Sequence, residues 1–203
     1  MSLSDRQSRL FLEPLEGKTT AFRVNDRPAN LRFGAAMLRL LAGGRQGCRL
    51  LDLDAFYSSN LEVLARGVPR ENLSGFDIML PEPGSDTEAT LAAVFLQGGD
   101  QPLLIDSANT LYQLLSASNP RAATRKFAFF ISALSSWAKS NGRPAVASIY
   151  DRRPALHRKA SRSLADVFDN SVSLSVKPDG LAFRCERGTA WRGGGFFLPF
   201  ELR

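Results

Sequence analysis

Asp106 closes a short apolar run, Leu103-Leu104-Ile105, and is followed by Ser107-Ala108-Asn109-Thr110, small residues suited to opening a helix. Such a run reads as a strand buried on both faces of a parallel sheet. Ligands of these sheets bind beyond the carboxyl ends of the strands. A carboxylate there can organise Mg²⁺ on a triphosphate, and the plainer role is capping of the next helix by Asp106 or Ser107. The second chemical feature is charge. Residues 107–165 carry 10 Lys+Arg against one acidic residue, while 1–106 carry 11 against 14 and 166–203 carry 5 against 5. The central segment therefore supplies the whole net charge of +6. Within it, Arg152, Arg153, His157, Arg158, Lys159 and Arg162 crowd one stretch. A one-signed cluster of this kind suits a phosphate backbone first and an acidic protein surface second; a solvated basic loop is the competing reading.

The elements that must position these residues alternate between two periods. Thr19–Val24 is β-prone and ends in a loop signal at Asn25-Asp26-Arg27-Pro28. Asn30 can cap a helix running to about Leu41, with Leu31, Ala35, Leu38 and Leu41 on one face. Cys48–Asp54 reads as a second strand, 59–66 as a helix, Phe76–Leu80 as a third strand and 89–96 as a helix behind a Ser85-x-x-Glu88 capping box. The strand at 102–106 leads into a helix over 108–116. A long helix over 122–140 carries Phe127, Phe130, Ile131, Leu134, Trp137 and Ala138 at helical spacing, as core residues. Ala145–Tyr150 is a fifth strand. Ser171–Val176 and Leu181–Glu186 form a hairpin about Asp179-Gly180. The tail with Trp191 and Phe196-Phe197 reads as an edge segment packed on the core. The fold class is α/β, a mainly parallel sheet flanked by helices with a C-terminal antiparallel hairpin.

The chain has 203 residues, 44% of them hydrophobic, which suffices for one core. The expected division is a lead-in over 1–18 and a single domain over 19–203. The sequence holds no apolar run long enough to span a bilayer, and its first residues do not resemble a secretion signal. Cys48, Cys185 and the one histidine have no metal-ligand spacing, so no metal site is expected. Two unpaired thiols fit a cytoplasmic protein.

In order and spacing, four parts resemble the ATPase core of the RecA/RadA recombinases and their KaiC-like relatives over roughly 19–185. Leu50-Leu51-Asp52-Leu53-Asp54 resembles the family's strand ending in Asp-x-Glu. Leu64-Ala65-Arg66-Gly67-Val68 with Glu71-Asn72-Leu73 resembles the helix and turn that follow. Leu103-Leu104-Ile105-Asp106-Ser107 resembles the Walker B strand, and Arg125–Trp137 with Val146–Tyr150 resembles the helix and strand before the DNA-contacting loop.

The departure is the phosphate loop, G-x-x-x-x-G-K-[ST], whose amides wrap phosphates while its lysine and hydroxyl reach phosphate and Mg²⁺. The eight residues in its place are Asn25 to Arg32. Asn25 and Asn30 replace the glycines, Leu31 the lysine and Arg32 the Ser/Thr. Pro28 removes a donor and Asp26 adds a negative charge. Gly17-Lys18-Thr19 only mimics the motif's end, because a strand pattern follows it. In the family the residue at Asp54 is a catalytic glutamate. The shorter aspartate would misplace the attacking water by about 1 Å, an error that can cost on the order of 10²-fold.

The resemblance thus implies a vestigial nucleotide site at Asn25, Asn30, Leu31, Arg32, Asp54, Asp106 and Ser107, with no ATP or Mg²⁺ expected as cofactor. Asp54 and Asp106 are read as relics or as caps at strand ends. It also implies a DNA loop at Arg152, Arg153, His157, Arg158, Lys159 and Arg162. With His157 and the flanking Tyr150 as its sole stacking groups, contact without sequence readout is expected, single strands favoured. The leading expectation is a non-catalytic recombinase paralogue that binds DNA, a RecA/RadA-type recombinase, or its own copies. The alternatives are an interaction subunit of a RecA-fold assembly, as in Elongator, and an ATPase with an unorthodox site.

Overall fold

The computed structural model describes residues 3–43, 47–66, 68, 70–81, 86–96, 101–151 and 163–200. The basic stretch 152–162, with its six expected DNA contacts, lies outside the described residues. Eight strands form one sheet: β1 Thr19–Val24, β2 Cys48–Asp52, β3 Phe76–Met79, β4 Leu103–Asp106, β5 Ala145–Tyr150, β6 Asn170–Lys177, β7 Gly180–Arg187 and β8 Gly195–Pro199. Their order is β3-β2-β4-β5-β1-β6-β7-β8. The first six are mutually parallel, and β7 and β8 continue antiparallel. The helices are α1 Leu3–Leu12, α2 Arg27–Gly43, α3 Leu61–Ala65, α4 Arg70–Leu73, α5 Thr87–Leu96, α6 Ala108–Ser118 and α7 Ala123–Asn141.

Side chains alternate across a strand, and the two faces feed two cores. Phe22, Leu50, Leu104 and Val146 pack with α1, α2 and the hairpin. Their neighbours Ala21, Leu51, Leu103, Ile105 and Ala147 pack with α5, α6 and α7. Burial on both faces explains why these strands are apolar throughout rather than alternating. Gly142 ends α7 at φ 64, a left-handed cap whose amide bonds back to Ala138.

Within the lead-in, residues 3–15 are helical, and the segment is seated in the core through Phe11, Leu12 and Leu15. Phe11 is fully buried, its ring 5.0 Å from Phe183 and 5.3 Å from both Trp191 and Phe196. Two sequence-read boundaries need correction. Strand β2 ends at Asp52, so Asp54 lies in the turn after it. Helix α2 begins at Arg27 rather than after Asn30. Asp26 Oδ1 accepts from the Ala29 amide at 2.9 Å and the Asp26 carbonyl accepts from Asn30 N at 3.0 Å, so Asp26 is the cap. Pro28, set in the first turn with φ already fixed, favours the early start.

Candidate functional site

The carboxyl ends of β1, β2, β4 and β5 meet at one edge, as parallel-sheet topology requires. Register does the positioning: Asp52 of β2 stands opposite Asp106 of β4. Asp106 is fully buried, and its Oδ1 accepts from Asn30 Nδ2 at 2.9 Å and from the Ser148 hydroxyl of β5. Asn30, buried on the first turns of α2, also donates to the Tyr150 hydroxyl at 2.8 Å. Its Oδ1 accepts from the Tyr57 hydroxyl at 3.0 Å. Asp52 Oδ2 accepts from the Ser58 amide at 2.7 Å, ordering the turn that carries Asp54.

Above these buried groups lies an open cleft of about 250 Å³, lined by Asn25, Asp26, Arg27, Asp54, Ser107, Asn109, Thr110 and Tyr150. Ser107 caps α6, its Oγ accepting from the Thr110 amide at 3.2 Å. Asn109 Oδ1 accepts from the Tyr150 amide at 2.7 Å, fixing the end of β5 to α6.

Three carboxylates in so small a volume disturb one another. Burial, and then the charges of Asp54 and Asp52, push Asp106 up to about 7 against the opposing bonds from Ser148 and Asn30. Asp54 is raised too, by burial first and Asp52 second. The Tyr57 hydroxyl lies well above its ordinary value, through burial and then Asp106. Asp52, Asp54 and Asp106 offer oxygens that all lie within 4.8 Å of one another, a grouping able to hold a metal ion.

Of the residues expected at a vestigial nucleotide site, the structure gathers Asn25, Asn30, Asp54, Asp106 and Ser107 around this cleft. It does not bring Leu31 or Arg32 there. Leu31 packs on the core, and Arg32 is exposed with its guanidinium 5.9 Å from the Phe200 ring centre. Of the loop expected over 25–28, only Asn25 and Asp26 connect β1 to α2, since Arg27 and Pro28 are already helix. Asp106 is not the cap that the sequence allowed; Ser107 is. Lys18 of the mimic motif donates to Thr189 Oγ1 at 2.7 Å and to the Pro14 carbonyl, and Thr19 lies in β1. Sequence reasoning gave no site role to Asp52, Tyr57 or Ser148. The signal for Ser148 was a lone polar residue inside an otherwise apolar strand.

No family model matches the chain, and no curated protein matches it in sequence. Among solved structures it is similar to the RadB recombinase, with a TM-score of 0.65 and 14% identity over 91% of this chain and 88% of that one. The similarity shows a RecA-like fold. No helix among the described residues is long and apolar enough to cross a membrane.

Proposed function

We propose that this chain is a RecA-fold recombinase paralogue without ATPase chemistry that binds DNA, a recombinase, or both in repair or recombination. The observation that carries the reading is the start of α2. In a phosphate loop the first free amides of the helix receive an anionic ligand. Here Asp26 supplies that anion from within, taking the Ala29 amide at 2.9 Å. Residues 25–32 contain no glycine, and the residue in place of the lysine is Leu31. The similarity to a solved structure named as a recombinase supports the recombination setting.

DNA contact is assigned to Arg152, Arg153, His157, Arg158, Lys159 and Arg162, which follow β5 with no acidic residue among them. Asp151, just before them, is paired with Arg23, which offsets the one negative charge of the central segment. Anisotropy titrations of single- and double-stranded oligonucleotides across a salt series test the assignment. Five cationic contacts give a log–log salt slope of up to about −3.5 on single strands. Replacing Arg152, Arg153, Arg158, Lys159 and Arg162 with Ala flattens the slope and weakens binding at least about tenfold. Unchanged affinity in that variant overturns the assignment.

One observation favours the second reading, a protein-interaction subunit. Phe129 is 76% exposed and borders an apolar groove of about 510 Å³ between α5 and α7 with Leu91, Phe95 and Phe130. Defined oligomers that ignore DNA would select that reading.

A further inference from the structure

We propose that Asp52, Asp54 and Asp106 bind one hard divalent cation directly, without a nucleotide. Each carboxylate has one oxygen that is buried and accepts no hydrogen bond among the described residues: Asp52 Oδ1, Asp54 Oδ1 and Asp106 Oδ2. Asp52 and Asp106 are fully buried residues. A buried, unpaired carboxylate oxygen is costly, and three together call for a counter-charge. The remaining oxygens of Asp106 and Asp52 are already committed, whereas that of Asp54 has only a distant cation before it. Asp106 Oδ1 serves Asn30 and Ser148, Asp52 Oδ2 serves Ser58, and Asp54 Oδ2 faces Arg27.

Arg27 does not complete the site. Its Nη2 stands 3.9 Å from Asp54 Oδ2, beyond hydrogen-bond reach, and its side chain is 68% exposed. A carboxylate-only donor set selects hard, oxygen-seeking ions over thiophilic ones. Two oxygens on one Mg²⁺ span at most about 4.2 Å and on one Ca²⁺ about 5 Å. The largest separation, 4.8 Å, falls within the span of Ca²⁺ and exceeds that of Mg²⁺ or Mn²⁺, so side-chain rotation brings the three oxygens onto one ion, least for Ca²⁺. The cleft over Asp54, lined also by Ser107, Asn109 and Thr110, provides entry and room for coordinating water. Sequence reading expected no metal because the ligands are joined by strand register rather than by a recognisable spacing. The proposed binding needs neither DNA nor residues 152–162, so its failure and that of the DNA reading are separately visible.

The test uses the full chain, stripped with chelator and free of nucleotide and DNA. Mn²⁺ is titrated by the loss of its free EPR signal, and Mg²⁺ and Ca²⁺ by calorimetry and melting temperature. We expect one Mn²⁺ per chain with a Kd of about 10⁻⁵–10⁻³ M and a melting temperature raised by whichever of Mg²⁺ and Ca²⁺ fits better. Asp54→Asn weakens uptake about a hundredfold, more than most outer-shell changes do. In chelator the same variant melts above wild type, because one of three repelling charges is gone. Asp52→Asn gives the same pattern and carries the test if Asp54→Asn fails to fold. No uptake at millimolar cation, uptake unchanged in both variants, or uptake that requires ATP would each overturn the proposal.

Discussion

Asn30 shows what a single side chain can hold together when it is the polar group between a helix, two strand ends and the turn after β2. Fully buried, it donates to Asp106 and Tyr150 and accepts from Tyr57. Asn30→Ala removes a donor from Asp106 and leaves the Tyr57 hydroxyl with only the weaker bond to the Asn30 carbonyl at 3.2 Å. The expected cost is about 2–4 kcal/mol, from lost bonds and newly unpaired buried groups. Urea unfolding should show the midpoint falling with m unchanged; a midpoint equal to wild type would show that the network contributes nothing. The sequence singled out Asn30 as a residue standing where a glycine would be. Its partnership with Asp106 was not legible, because 76 positions separate the two and only sheet order brings them together.

At the scale of elements, the join between β1 and β6 depends on Asp169. Its Oδ2 accepts from the Thr19 amide and hydroxyl at 2.8 Å each and from the Ser135 hydroxyl of α7 at 2.9 Å. The Asp169 amide donates back to Thr19 Oγ1 at 3.0 Å. Burial pushes the carboxyl up, but the Thr19 and Ser135 bonds, with Lys139 nearby, outweigh it and hold the group below its ordinary value. A depressed carboxylate stabilises the fold above the unfolded value of about 4, and that stability is lost as pH falls through the lower folded value. Asp169→Asn should therefore cost on the order of 1–3 kcal/mol at pH 7. The deficit should shrink below about pH 4. A deficit constant from pH 7 to pH 3 would refute the ionic part of this account.

The strands themselves were readable as short apolar runs, and the hairpin from Asp179-Gly180. Two boundaries were misplaced for one reason: aspartates that hydrogen-bond local amides. Asp26 starts α2 early and Asp52 holds the turn that ends β2. A side chain's choice among nearby amides depends on the turn it makes, and residue type alone does not reveal it.

Across the whole molecule, the chain combines a RecA-like frame with a closed helix start and a one-sided charge. Phe11, Phe22, Phe183 and Trp191 cluster with ring centres 5.0–6.4 Å apart, joining the N-terminal helix, the central strand β1 and the C-terminal hairpin into one body. The fold class was legible from strand–helix alternation, and Asp106 was legible as the last residue of a buried strand. The convergence of Asp52, Asp54 and Asp106 on one point was not, because it arises from pairing β2 with β4 in register. The absence of acidic residues from Ser107 to Tyr150 was visible in composition alone, and it remains the main support for an anionic partner.

On the proposed reading, the frame persists while its grip on triphosphate is gone. Calorimetric titration of Mg·ATP into the purified chain, paired with phosphate-release measurements, tests it most directly. No saturable binding below about millimolar nucleotide and no release above the uncatalysed background are expected, since Asp26 already occupies the helix amide that phosphate would need. Micromolar, Mg²⁺-dependent ATP binding that disappears in Asp106→Asn would contradict it.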